Sequence, residues 1–131
     1  APELLEPQTA EKIILNSGGV LREMIRIANE CCRICLRLIR RKPGQQIMIN
    51  DEILESAINN IRNDFALRLG KAEYEILQTT YDNFKPEDPK QQEFLDLLHG
   101  LYILEYRNPI WYDVHPIVVE LLREEGLLNG K

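Results

Sequence analysis

The longest helical pattern in the chain covers residues 20–41, and the loop that opens it constrains everything around it. Leu21, Met24, Ile25, Ala28, Cys31, Cys32, Cys35, Leu38 and Ile39 recur at spacings of three and four, the period of a helix with one apolar face. Ser17, Gly18 and Gly19 stand just before it. Two adjacent glycines allow a sharp turn that a backbone carrying Cβ atoms resists. A helix that starts straight after them presents bare N–H groups and the positive end of its dipole. Arg22 adds a fixed cation with planar donors to the same turn. Such a turn suits a phosphate oxygen. It equally suits a plain loop–helix junction with a solvated arginine, and the residues alone leave both readings open.

The rest of the chain reads as helices until Gly100. Residues 3–16 form a short amphipathic pattern whose main part starts at Pro7 or Thr9, with Ile13, Ile14 and Leu15 on its apolar face. Lys42-Pro43-Gly44-Gln45-Gln46 is a turn, and Asn50 is a good N-cap with Asp51 and Glu52 in the first turn behind it. Ile53, Leu54, Ala57, Ile58, Ile61, Phe65 and Leu69 predict a helix over residues 51–68. Gly70 separates it from a helix over 71–83. Lys85-Pro86-Glu87-Asp88-Pro89 breaks the pattern. A helix over 89–99 follows, with Phe94, Leu95, Leu97 and Leu98 buried. After Gly100 the residues turn β-branched and aromatic. Strands over 101–106 and 110–114 are joined by Arg107-Asn108-Pro109. His115-Pro116 opens a last helix to about Glu124, with proline at its favoured first position. Residues 126–131 are expected to fray. The fold class is mainly α, with one short β-hairpin in a winged-helix-like layout.

Several functions are excluded by what is missing. A phosphate-binding P-loop reads Gly-x-x-x-x-Gly-Lys-Ser/Thr, but Gly70-Lys71 is followed by Ala72 and lacks the earlier glycine. Apolar runs ending in acidic pairs, the Walker-B pattern, are absent. There are two histidines and no Gly-x-Ser-x-Gly elbow. No catalytic residue is therefore assigned, and the chain by itself is not expected to be an enzyme. Cys32 and Cys35 would make half a zinc site, but no second pair exists, so no metal is expected and the cysteines read as small buried hydrophobes. No apolar run approaches the ~20 residues of a membrane span. Free thiols and the lack of a secretory leader point to the cytoplasm. A start at Ala1-Pro2-Glu3 without Met suggests a processed or excised piece.

Ser-Gly-Gly-Val-Leu-Arg at residues 17–22, followed by Glu-Met-Ile-Arg-Ile-Ala, resembles the sensor-2 segment of AAA+ and STAND-type P-loop ATPases. The entry Ile-x-Ile-Asn-Asp-Glu-Ile-Leu at residues 47–54 is similar to the last lid helix of that family. The resemblance implies a helical lid over residues 1–69 and a winged-helix-like domain over 70–131. It implies that Arg22, set by Gly18 and Gly19, reaches the terminal phosphates of a nucleotide. That nucleotide, ATP or ADP with Mg, would be held by an ATPase core N-terminal to Ala1, and this chain would hold no cofactor itself. The function implied is regulatory: coupling nucleotide state to protein partners or self-assembly. The same family carries a histidine at the junction of wing and helix that contacts ADP. His115 stands there, with Pro116 in place of the acidic variant. The other reading of His115 is a helix cap with a partly buried ring.

Charge is distributed unevenly. Residues 20–42 carry seven basic and two acidic side chains, a net +5, while the remainder of the chain carries -10. Arg22, Arg26, Arg33, Arg37 and Arg40 form the basic ridge of the long helix. It either pairs with the acidic remainder or faces an anionic partner. A free-standing winged-helix DNA-binding module is the rival reading of the whole chain. Its reading helix would carry Glu87, Asp88, Glu93 and Asp96 against Lys85 and Lys90. Phosphate contacts supply most non-specific affinity, so duplex DNA is not expected as a partner.

Overall fold

The computed structural model describes residues 5–44 and 47–128. Among them are six helices and one two-stranded antiparallel hairpin, so the chain is mainly α. It divides into two compact units, Ala1–Ile61 and Arg62–Lys131. The division falls inside the third helix, earlier than Gly70, because Phe65 packs on Tyr102 and His115 further along the chain.

The first unit holds α1 (Pro7–Asn16), α2 (Leu21–Arg41) and the first turns of α3 (Asp51–Ala66). Helix α1 starts later than residue 3. Leu5 forms a parallel bridge with Ile49, the Glu6 N–H donates to the Ile49 carbonyl at 3.1 Å, and Glu6 is extended. Pro7 then takes the first helical position, where its missing N–H costs nothing. Residues 3 and 4 lie outside the described residues. The turn after α2 covers residues 42–44, with Gln45 and Gln46 outside the described residues. Asn50 caps α3, its Oδ1 accepting from the Ile53 N–H at 2.9 Å. Helix α3 ends at Ala66, two residues short of the expected 68, in a turn over 67–68. It buries Ile53, Leu54, Ala57 and Ile61, as their spacing predicts.

The buried side of α2 differs from the expected one. Ile27 and Cys31 are fully buried, Cys35 is buried, and Glu23 is 2% exposed. Leu21, Ile25, Cys32 and Ile39 are exposed. The apolar residues of α2 occupy a wider arc than the unit covers, so the face that meets the core is centred on Glu23–Ile27–Cys31–Cys35 and the other edge is left bare.

Asp51 ties the start of α3 to α1. Thr9 Oγ1 donates to its Oδ1 at 2.7 Å, and Lys12 Nζ donates to Oδ2. The bond from Lys12, then that from Thr9, hold the Asp51 carboxyl below the usual carboxylate range. A depressed carboxylate adds stability above its unfolded pKa and loses it as pH falls through the folded value. Lys12→Met removes the larger part of that contribution at neutral pH and leaves the bond from Thr9. The difference in melting temperature between wild type and Lys12→Met should therefore shrink as pH falls from about 5 to about 2. A gap of constant size across that range would show that Asp51 is not the linked group.

The second unit holds α4 (Lys71–Asn83), α5 (Gln92–His99), β1 (Ile103–Tyr106), β2 (Trp111–Val114) and α6 (Pro116–Glu124). The hairpin pairs Ile103 with Val114 and Tyr106 with Trp111. Helix α4 opens with the Gly70 N–H donating to Glu73 Oε1 at 2.8 Å. It closes at Phe84, whose carbonyl accepts from the Tyr112 N–H at 2.8 Å and so fastens β2 to the end of α4. Helix α5 starts three residues later than expected. Asp88 turns the chain first, its Oδ1 accepting from the Lys90 N–H at 3.0 Å, and Gln91 is extended. Phe94 and Leu97 are buried, while Leu95 and Leu98 are half-buried rather than buried. The core is completed by Ile103, Leu104, Val114, Ile117, Val118, Leu121 and Leu122. Residues 126–128 are held rather than frayed. The Leu127 carbonyl accepts from Gln78 Nε2 at 2.8 Å, and its N–H donates to the Leu122 carbonyl at 3.0 Å. Residues 129–131 lie outside the described residues.

Gly100 is fixed by packing. A Cβ there would stand 2.8 Å and 2.9 Å from the Tyr102 ring and 3.3 Å from the Asp96 carbonyl. That ring is held edge-on against Phe65 with centroids 4.7 Å apart, so it has little freedom to retreat. Gly100→Ala should cost about 1–3 kcal/mol of stability, the usual scale of overpacking. Denaturant unfolding checks this, and an unchanged midpoint would mean that the ring yields freely.

Candidate functional site

The loop between α1 and α2 is shaped by its two glycines. Gly18 has φ 67° and Gly19 φ 76°, both left-handed. The Gly18 N–H donates to the Leu15 carbonyl and the Gly19 N–H to the Ile14 carbonyl, each at 3.3 Å, which closes the end of α1. Ser17 is fully buried; its Oγ donates to the Ile14 carbonyl at 2.6 Å and accepts from the Gly19 N–H at 3.2 Å. Val20 is then extended, and α2 starts at Leu21 with no side-chain cap. Among the described residues nothing lies within 4 Å of where a Gly19 Cβ would stand, so they leave the loop open above that glycine.

Arg22 is exposed in the first turn of α2 and joins no ion pair among the described residues. The structure thus brings Gly18, Gly19 and Arg22 together at one helix start. Glu23, which sequence reasoning missed, is buried beside them. Its carboxylate sits at the positive end of the α2 dipole and receives Arg26 Nη1 at 3.3 Å. Its only signal in the sequence is its spacing of four from Ile27, in line with the core positions Cys31 and Cys35.

The basic ridge splits in two. Arg26 pairs with Glu23, and Arg33 Nη2 lies 3.2 Å from Glu30 Oε1, both pairs within α2. Arg37 and Arg40 are exposed and in no ion pair among the described residues.

His115 lies far along the sequence in the second unit and is fully buried. It is the N-cap of α6: Nδ1 accepts from the Ile117 N–H at 3.1 Å. Its backbone N–H donates to the Tyr102 carbonyl at 2.9 Å, and its ring centroid is 5.2 Å from that of Phe65. The capping role is the one the structure displays, with the ring more deeply buried than the sequence suggests.

Of the cysteines, Cys31 and Cys35 are buried and Cys32 is exposed; all three are free. Burial, followed by the neighbouring cysteines and Glu30, pushes the Cys31 thiol up to about 11. Among the described residues no group of His, Cys, Asp and Glu is arranged to hold a metal ion, and no helix is long and apolar enough to cross a membrane. Comparison of the chain with family models, with curated proteins and with solved structures finds no match.

Proposed function

We propose that this chain is the C-terminal lid and winged-helix region of a P-loop ATPase, where it couples nucleotide state to partner binding or assembly in the cytoplasm. The observation that carries the reading is the α2 start. Two left-handed glycines precede an exposed arginine, in no ion pair among the described residues, in the first turn of a 21-residue helix. A helix N-terminus with an added guanidinium favours a phosphate. The chain supplies no phosphate cradle of its own, so ATP, ADP and Mg belong to a core elsewhere in the same protein. Arg22 acts as a sensor and not as a binding platform. The reading rests on Arg22 and not on His115, whose ring is committed to capping α6.

Helix α5 weighs against the DNA-binding alternative. Its exposed side chains include Glu93 and Asp96, and Asp88 precedes it. The test is to isolate the longer protein, extract any bound nucleotide and identify it by chromatography. Co-purifying ADP or ATP, with a Gly-x-x-x-x-Gly-Lys-Ser/Thr sequence upstream of Ala1, is the expected result. A coding sequence that lacks such a motif would overturn the reading.

A further inference from the structure

Helix α2 carries a second apolar stripe that the first unit does not cover. Leu21, Ile25, Cys32, Leu36 and Ile39 are all exposed, at 69%, 51%, 55% and 40% for the four aliphatic residues, and half-buried Ala28 continues the line. From Leu21 to Ile39 these six positions advance by a mean of about 3.6 residues, so the stripe runs straight along the helix for about five turns. Soluble helices ordinarily turn charged residues to solvent on this side.

One edge of the stripe is basic. On a helical projection of about 100° per residue, Arg22, Arg33, Arg37 and Arg40 fall along a single border of it. The other edge is the buried side of α2. Arg22, Arg37 and Arg40 join no ion pair among the described residues, so their charge is available along the whole length.

We propose that this stripe and its arginine border are the docking surface for a partner helix whose own apolar side is edged by carboxylates. Helix recognition through anchors spaced three and four apart is a general binding mode, and complementary charge at the edge sets partner and orientation. A second copy of this helix offers arginine where carboxylate is needed. An anionic bilayer meets not only α2 but a chain whose remainder carries -10. Arg22 is shared with the proposed phosphate contact, but Arg37 and Arg40 keep the border basic without it, so the proposal does not rest on nucleotide sensing.

Cys32 provides the readout, because it is the exposed thiol of the three and lies inside the stripe. The probe is a synthetic helical peptide with leucines at the matching spacing and a glutamate border, compared with the same peptide bearing a lysine border. The glutamate peptide should slow alkylation of Cys32 about tenfold at saturation, and the lysine peptide by less than about twofold. Arg37→Glu combined with Arg40→Glu should reverse that preference. Leu21→Ser combined with Ile25→Ser should abolish protection by either peptide. All four side chains are exposed, so circular dichroism should report an unchanged fold in both double variants. Equal protection by the two peptides would overturn the proposal, since it would show apolar contact without charge recognition. So would protection by phosphatidylserine vesicles but not by the glutamate peptide, or concentration-dependent self-protection of the chain alone.

Discussion

Replacing His115 by alanine should lower the unfolding free energy of the chain by about 3 kcal/mol, the largest loss expected from any single polar position. Two effects combine. Nδ1 is the acceptor for the Ile117 N–H at the start of α6, and losing an N-cap typically costs about 1 kcal/mol. The ring is fully buried against Phe65, and deleting it leaves a cavity whose cost is about 2 kcal/mol or more. His115→Asn separates the two. Asparagine is among the best N-cap residues, so it should recover about 1 kcal/mol while leaving most of the cavity. Denaturant titrations of the three proteins decide this. If His115→Ala unfolds like wild type, the ring is not part of the fold and its burial has another purpose. A nucleotide contact from His115 would ask the ring to leave this packing, at a cost of the same size.

The elements of this chain were legible because glycine and proline mark nearly every boundary. Gly70, Gly100 and Pro116 each stand at or beside an end of a helix, and Pro86, Pro89 and Pro109 fall in the connections between elements. The hairpin was readable from β-branched and aromatic residues after Gly100, and Asn50 and Pro116 occupy the helix-start positions their chemistry favours. The buried face of α2 was not legible. Apolar residues cover both a core side and an exposed stripe on that helix, and spacing alone does not say which edge has a neighbour. Glu23 was hidden for the same reason, since a carboxylate reads as solvent-facing unless its partner Arg26 and the helix dipole are placed around it. The start of α1 at Pro7 was one of the two that its residues offer, but the extended entry before it was not legible, because it is set by the pairing of Leu5 with Ile49, a contact between residues far apart in sequence. Of the candidate site, the grouping of Gly18, Gly19 and Arg22 was readable from adjacency. The depth of His115 was not, because it depends on Phe65 and Tyr102, which come from other elements.

Arg22→Ala should leave the fold untouched and reduce ATP turnover of the longer protein by about tenfold to a thousandfold. The two halves have separate grounds. Arg22 is exposed and joins no ion pair among the described residues, and surface substitutions of this kind change stability by about 0.5 kcal/mol or less. An arginine directed at a transferring phosphoryl group stabilises charge spread over its equatorial oxygens, a role worth up to about 10³–10⁵ in rate when the guanidinium is fully engaged. An arginine delivered by a separate unit acts only in the closed arrangement, which places the expectation at the lower end. Arg22→Lys should rescue poorly, because an ammonium does not reproduce the planar fork of donors. Gly19→Ala offers an independent check on positioning. Its φ of 76° is left-handed and nothing crowds the missing Cβ, so the substitution strains the backbone without a steric clash. That strain is about 1–2 kcal/mol and is relieved by shifting the loop that aims Arg22. Turnover should therefore fall in Gly19→Ala as well, with Arg22 still present. Normal turnover in Arg22→Ala would remove the nucleotide role. A large drop in its melting temperature would instead make Arg22 a structural residue, and the phosphate-facing reading of the α2 start would fall with it.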